Sequence, residues 1–310
     1  MDAIRSVRGA FGGLLRRAGL RRSRPEAFAP GHFHSVLPSS SDLKRARNAS
    51  WPVRANLPGI DLNVDEQLGL VEDLAALAKA DEPFWSNTRR KRFVIQNNSF
   101  SYDDAPVLHY LLRKLRPKKV IEIGCGHSSA AMLDTDDLYL GRSIKFDFID
   151  PHPERLESLL LDTDAARATV WKKEVQDVDL SLFDQLDEGD LLFIDSSHVV
   201  KAGSDLQYIF FEVLPRIRSG VWIHMHDIRF PFEYSQEIFD GKIFWNEAYF
   251  LRAFLMFNHE FKIGFWLNFL LNLDAQTKDK LMSILPLQEA VQRFGGDARM
   301  SGGSVYLRRV

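Results

Sequence analysis

The stretch Lys119–Ala130, KVIEIGCGHSSA, constrains this chain more than any other. An apolar strand pattern (Val120, Ile121, Ile123) runs into a glycine turn (Gly124, Gly126), then through Ser128 and Ser129 into the apolar run Ala130–Leu133. A strand that breaks at glycines and resumes as a helix lets backbone N–H groups approach a nucleotide-like ligand closely. Gly-x-Gly by itself fits a cofactor loop and an ordinary tight turn equally well. Two details narrow the choice. Glu122 lies inside the strand, where an apolar residue is expected, and Ser129 stands at the third glycine position of the dinucleotide fingerprint, which weakens a nicotinamide reading.

The totals exclude several classes. A chain of 310 residues makes one large α/β domain with appendages, or two small domains. With a net charge of -2 there is no basic surplus to suggest nucleic acid and no acidity to suggest a solvating tail. The single cysteine, Cys125, excludes an intrachain disulfide and a Cys-rich zinc site, and it reads as a small packing residue of the turn. No apolar run approaches the ~18–20 residues of a membrane span, so the expected location is cytoplasmic.

Residues 1–60 read as a basic segment and strap ahead of a domain at 61–310. Arg5, Arg8, Arg16, Arg17, Arg21, Arg22 and Arg24 face the single acid Asp2, with Ile4, Val7, Phe11, Leu14 and Leu15 at roughly helical spacing. A frayed basic tail is the favoured reading, and a weak interfacial helix touching anionic lipid is the alternative, which would make the protein membrane-peripheral. Arginines interrupt any apolar core, so a secretory signal is not expected. Pro25–Asn56 is rich in Pro, Ser and Gly and reads as irregular, with His32, Phe33 and His34 suggesting a docked strap.

Beyond it, Asn63 or Asp65 caps a predicted helix over Glu66–Ala80, and a second helix runs from Ala105 to Leu115, where Asp103 or Asp104 reads as a cap. After the glycine turn, strands are predicted at Ile144–Ile149, Thr169–Trp171, Leu191–Asp195 and GVWIHMHD ending at Asp227, with helical patterns between them. That alternation indicates βαβ units and a parallel sheet. A strand near Phe261–Leu267 and a final strand, Ser304–Arg309, suggest an antiparallel closing pair over 260–310.

In an open parallel sheet the ligand sits beyond the carboxyl ends of the strands. Asp150, Asp177, Asp195 and Asp227 fall there in phase. Each alone suits a helix cap or a turn; together they point to a polar site. Asp150 suits the two hydroxyls of a ribose and Asp177 an adenine amino group, both as acceptors.

EIGCG followed by FIDP, VQD and LLFIDSSH resembles the class I S-adenosylmethionine-dependent methyltransferases over roughly 98–227. The resemblance implies a Rossmann-like, doubly wound α/β fold. Its sheet would be mostly parallel and seven-stranded, with an antiparallel closing strand and an irregular or helical N-terminal extension. It implies S-adenosylmethionine as cofactor, with Glu122, Gly124, Gly126 and Ser128 at its methionine end, Asp150 at the ribose and Asp177 near the adenine. Asp195 completes the cofactor set. LLFIDSSHVVKAGSD with GVWIHMHDI is similar to the branch containing macrolide sugar O-methyltransferases and related uncharacterised bacterial proteins. It implies O-methylation, with His198 as general base and Asp195, His226 and Asp227 as ligands of an optional Mg²⁺. His226 replaces an acid of the family pattern. The aromatic block at 228–250 reads as an acceptor lid, and Tyr102, Tyr234, Trp245, Asn246 and Glu247 are candidate contacts for a small-molecule or glycan acceptor. His224, one pair deeper in its strand, reads as structural. The alternatives are a hydroxylase-like relative on the same fold and a non-catalytic cofactor-binding module. Acceptor identity and oligomeric state are not encoded in any motif.

Overall fold

The computed structural model describes residues 27–48, 57–80, 82, 84–100, 102–294 and 302–310. The chain divides into two compact units, 1–51 and 52–310. The arginine-rich start, and with it the expected lipid contact, lies outside the described residues.

In the first unit the segment expected to be irregular contains a helix, α1 (Ser40–Asn48). Ser39 and Asp42 explain it: the Asp42 carboxylate accepts from the Ser39 N–H at 2.9 Å while the Ser39 hydroxyl accepts from the Asp42 N–H at 3.1 Å. This reciprocal pair satisfies orphan donors at the helix start, and the run of serines hid it. His32, Phe33 and His34 pack on one another and on Phe28, whose ring stacks on His32 at 4.4 Å. Phe33 remains 83% exposed.

The second unit is built on a seven-stranded sheet in the order β3-β2-β1-β4-β5-β7-β6. Its strands are β1 (Lys119–Ile123), β2 (Lys145–Ile149), β3 (Ala168–Trp171), β4 (Leu191–Ile194), β5 (Trp222–Met225), β6 (Phe261–Trp266) and β7 (Val305–Arg309). The first five pair in parallel; β7 pairs antiparallel to both β5 and β6. Every residue of β4 is buried, as expected for a parallel strand covered on both faces. Helix α2 (Val64–Ala80) packs against β6, and α3 (Asp104–Leu115) packs against both α2 and α4 (His127–Thr135). Asp103 caps α3 as expected, accepting from the Asp104 N–H at 3.1 Å. Because β1 lies between β2 and β4, the chain reverses direction across the sheet there, and a crevice opens at the carboxyl ends of these strands.

One buried ion network ties the segment before α3 to this core. Arg92, with no exposed side-chain surface, meets Asp134 at 2.7 Å, Asp137 at 2.8 Å and Asp164 at 2.6 Å. Arg167 joins it through Asp136 and Asp137. Among the described residues no helix is long and apolar enough to cross a membrane.

Candidate active site

The glycine turn owes its shape to a close approach. Gly124 has φ +81, and a Cβ there would lie 1.7 Å from the Asp195 carbonyl oxygen, so the end of β4 passes where any side chain would stand. Only glycine accepts both the left-handed backbone and that contact. The turn continues into α4, where the Ser129 hydroxyl accepts from the Gly126 N–H at 2.9 Å. Asp150, just past β2, fixes the loop from the other side, accepting from the Cys125 N–H at 2.9 Å and the His152 N–H at 2.7 Å.

These residues enclose a cleft of about 130 Å³ lined by Gly124, Gly126, Ser128, Asp150 and Asp195, together with Arg155. Five residues expected at a cofactor thus come together. Glu122 does not reach the cleft surface. It is fully buried, and its two oxygens accept from the Ser128 and Ser129 hydroxyls at 2.5 Å each. Burial pushes its carboxyl up to about 8, with Asp195 and Asp150 adding to the rise and the two serines opposing it. Glu122 therefore holds the glycine loop from beneath, and Ser129 stands in place of glycine because its hydroxyl links Glu122 to Gly126. Asp177, expected near an adenine, ends a short 3-10 turn on the exposed surface and is absent from the cleft lining. Arg155 was not anticipated; its guanidinium donates to Ser99 at 3.1 Å, and its aliphatic stem lies over Gly126.

A second group adjoins the cleft through Asp195. His198, in left-handed backbone at φ 57, places Nε2 3.4 Å from Asp195 and 3.7 Å from Asp227. Its Nδ1 lies 2.8 Å from Glu247 Oε2. Glu247 opens helix α5 (Glu247–Leu255), and the backbone N–H groups of Asn246 and Glu247 both donate to the His198 carbonyl, at 3.1 and 3.3 Å. Burial pulls the imidazole pKa down, but the bonds to Asp195 and Glu247 outweigh it and raise it to about 10. Glu247 is raised as well, chiefly by burial. Both directions describe one proton held between the two side chains.

His226 is bracketed by acids. Its Nδ1 stands 3.7 Å from Asp195 and 3.7 Å from Asp227, and its Nε2 faces Asp104 at 3.6 Å. Burial opposes protonation, yet Asp195, Asp104 and Asp227 hold its pKa well above the ordinary value. The expected metal trio, Asp195, His226 and Asp227, does converge, with His226 Nδ1 3.7 Å from each carboxylate. Among the described residues no group of three or more His, Cys, Asp or Glu side chains is arranged to hold a metal ion. Asp104, read from sequence as a cap candidate, is instead a buried partner of this group, accepting from the Gly303 N–H at 3.0 Å. His224 is structural as expected, stacked on Phe193 at 3.8 Å and bonded to Ser304 at 2.8 Å.

The aromatic block is less of a lid than expected. Tyr234 is buried and its hydroxyl accepts from the Ala248 N–H at 2.9 Å. Asn246 clasps Val200, accepting from its N–H at 2.6 Å and donating to its carbonyl at 3.1 Å. These bonds tie both side chains to neighbouring backbone. Tyr102 is buried, 3% exposed, so it offers no surface to an acceptor. Of the five expected contacts, Trp245 and Glu247 stand beside the chemistry, the Trp245 ring 4.3 Å from that of His198 and Glu247 bonded to its Nδ1.

Residues 121–228 match a family model described as a methyltransferase domain. Over 180 residues the chain is 31% identical to an uncharacterized protein of Archaeoglobus fulgidus, covering 56% of this chain and 80% of that one. Among solved structures it is similar to the O-methyltransferase TomG of Streptomyces achromogenes, involved in tomaymycin synthesis and solved with SAM. That match has 15% identity and a TM-score of 0.39 and covers 66% of this chain and 78% of that chain. It is also similar to an SAH-bound methyltransferase of Podospora anserina, with 14% identity and a TM-score of 0.40, covering 89% of this chain and 99% of that one.

Proposed function

We propose that the chain is a class I S-adenosylmethionine-dependent methyltransferase that methylates a hydroxyl oxygen of a small molecule or glycan, a reading supported by the methyltransferase-domain match over residues 121–228. One observation carries this reading: Asp195 is shared between the glycine-loop cleft and the His198–Glu247 pair, so a cofactor site and a proton-handling site meet at one carboxylate. When bound, S-adenosylmethionine supplies an electrophilic methyl group and a positive charge on sulfur.

The chain's own residues then position and deprotonate. Asp150 is held by two backbone N–H groups and keeps acceptor capacity on both oxygens, as ribose hydroxyls require. The Gly124–Gly126 backbone and Ser128 form the opposite wall. Glu247 accepts from Nδ1 of His198 and leaves Nε2 as the nitrogen that takes the acceptor proton, once the charge on Asp195 and Asp227 is offset. The proton between His198 and Glu247 stays where it is. Trp245 supplies a wall for the acceptor beside His198. Displacement at the methyl carbon is in line, so this positioning is the main contribution of the protein. No step is assigned to a divalent ion.

Calorimetry with S-adenosylmethionine and S-adenosylhomocysteine tests the proposal, together with release of the latter on a panel of hydroxylated acceptors. His198→Ala is expected to keep cofactor affinity and lose turnover by roughly 10²–10⁴-fold. Failure of the wild-type protein to bind either compound would overturn the reading.

A further inference from the structure

A wider groove, of about 460 Å³, lies at the opposite end of the sheet from the cleft. It runs between α2 and the strands β5, β7 and β6. Trp222 opens β5, whereas His226 and Asp227 follow that strand's far end, so the two sites do not share residues.

Register explains what lines it. Trp222 is paired with Arg308, and Arg308 with Lys262, across two antiparallel ladders. Directly opposed residues of antiparallel strands project on the same face, so Trp, Arg and Lys form one row across the sheet. The indole lies over Gly264, where a Cβ would come within 2.4 Å of the Trp222 ring; glycine there lets the ring lie flat along the groove floor. On the facing helix, Gly69 is exposed, and a Cβ there would meet nothing within 4 Å. A glycine inside a helix weakens it, and no packing contact requires this one; what it does is leave the groove open.

The charges are unevenly matched. Asp73 pairs with Lys114 at 2.7 Å, and Glu66 accepts from the Asn63 amide at 2.9 Å with Lys262 more distant at 3.9 Å. Arg308 has no carboxylate within salt-bridge distance among the described residues. The groove therefore combines an aromatic floor, an unmatched guanidinium and a wall of carboxylate and amide groups.

We propose that this groove binds a saccharide bearing a carboxylate. The C–H face of a pyranose ring packs on the Trp222 indole, the fork of Arg308 takes the carboxylate in bidentate fashion, and Asn63, Glu66 and Asp73 accept from or donate to ring hydroxyls. An apolar drug-like ligand is not favoured, because Trp222 and Leu70 are the only large apolar groups in the lining. The inference does not rest on the methyl-transfer reading.

Saturation-transfer NMR on the full chain tests it, with a galacturonic acid disaccharide and the matching neutral galactose disaccharide as probes. Signal is expected on the uronate, at least tenfold stronger in affinity than on the neutral sugar. Gly69→Leu, which fills the groove from a position with free space, and Arg308→Gln are each expected to weaken uronate binding at least tenfold while the melting temperature is kept. Absence of transfer to both sugars, or unchanged affinity in both variants, would overturn the site. Equal affinity for the two sugars would overturn its assignment to an acidic saccharide.

Discussion

His198 Nδ1 and Glu247 Oε2 stand 2.8 Å apart across 49 residues of chain, and the same helix start that carries Glu247 also donates its N–H groups to the His198 carbonyl. The helix thus docks and orients the imidazole with one set of contacts. Glu247→Gln keeps the shape and removes the charge. Cofactor affinity should be unchanged, while turnover falls by roughly 10–10²-fold because the tautomer is no longer enforced. The sign of the pH effect is fixed by the raised pKa. His198 contributes stability that is full below about 6.5 and lost as pH rises through about 10. Wild type should lose stability between pH 7 and 10 relative to Glu247→Gln, as read by denaturant unfolding; parallel pH curves would count against the coupling.

Glu122 behaves in the same sense, over a lower pH window. Burial lifts its carboxyl to about 8, so above the unfolded value of 4.5 the unfolded chain ionises while the folded one does not. Stability is full below 4.5 and lost as pH rises through about 8. Glu122→Gln removes that loss, and its advantage over wild type should grow from pH 5 to pH 8 by on the order of a few kcal/mol. Unfolding at both pH values measures it, and a pH-independent difference would contradict it.

Gly124→Ala forces a methyl group into the Asp195 carbonyl in a left-handed backbone. Destabilisation of about 3 kcal/mol or more is expected, because strain and overlap act together. Cofactor affinity should fall with it, since the loop and Asp195 must separate. Thermal unfolding and calorimetry report the two effects independently.

Arg92→Met leaves Asp134 buried without a cation, while Asp137 and Asp164 keep Arg167. Removing one member of such a group costs about 3–5 kcal/mol, because uncompensated charge stays behind. The network lies away from the cleft residues, so any properly folded fraction should keep wild-type cofactor affinity. A loss below about 1 kcal/mol would show that the acids simply protonate.

Much of the architecture could be read locally. Strand, turn and helix signals depend on residues within one element, so β1, the glycine turn and the in-phase acids at 150 and 195 were legible in order. Even Glu122 had its partners within seven residues, in Ser128 and Ser129, but sequence aimed its carboxylate outward at a ligand. Burial turned it inward, toward hydroxyls that no water competes for. The capping pair Ser39–Asp42 was equally local and was masked by a low-periodicity setting.

What sequence could not determine is which distant residues meet. Glu247 reaches His198, and Asp104 reaches His226 and Gly303, through packing of α5, α3 and β7 around the sheet end. Those encounters raise the pKa of both histidines and bring Asp195, His226 and Asp227 together. A strand pattern states which side of a sheet a residue faces; the electrostatic state of that residue is set by everything that folds against it.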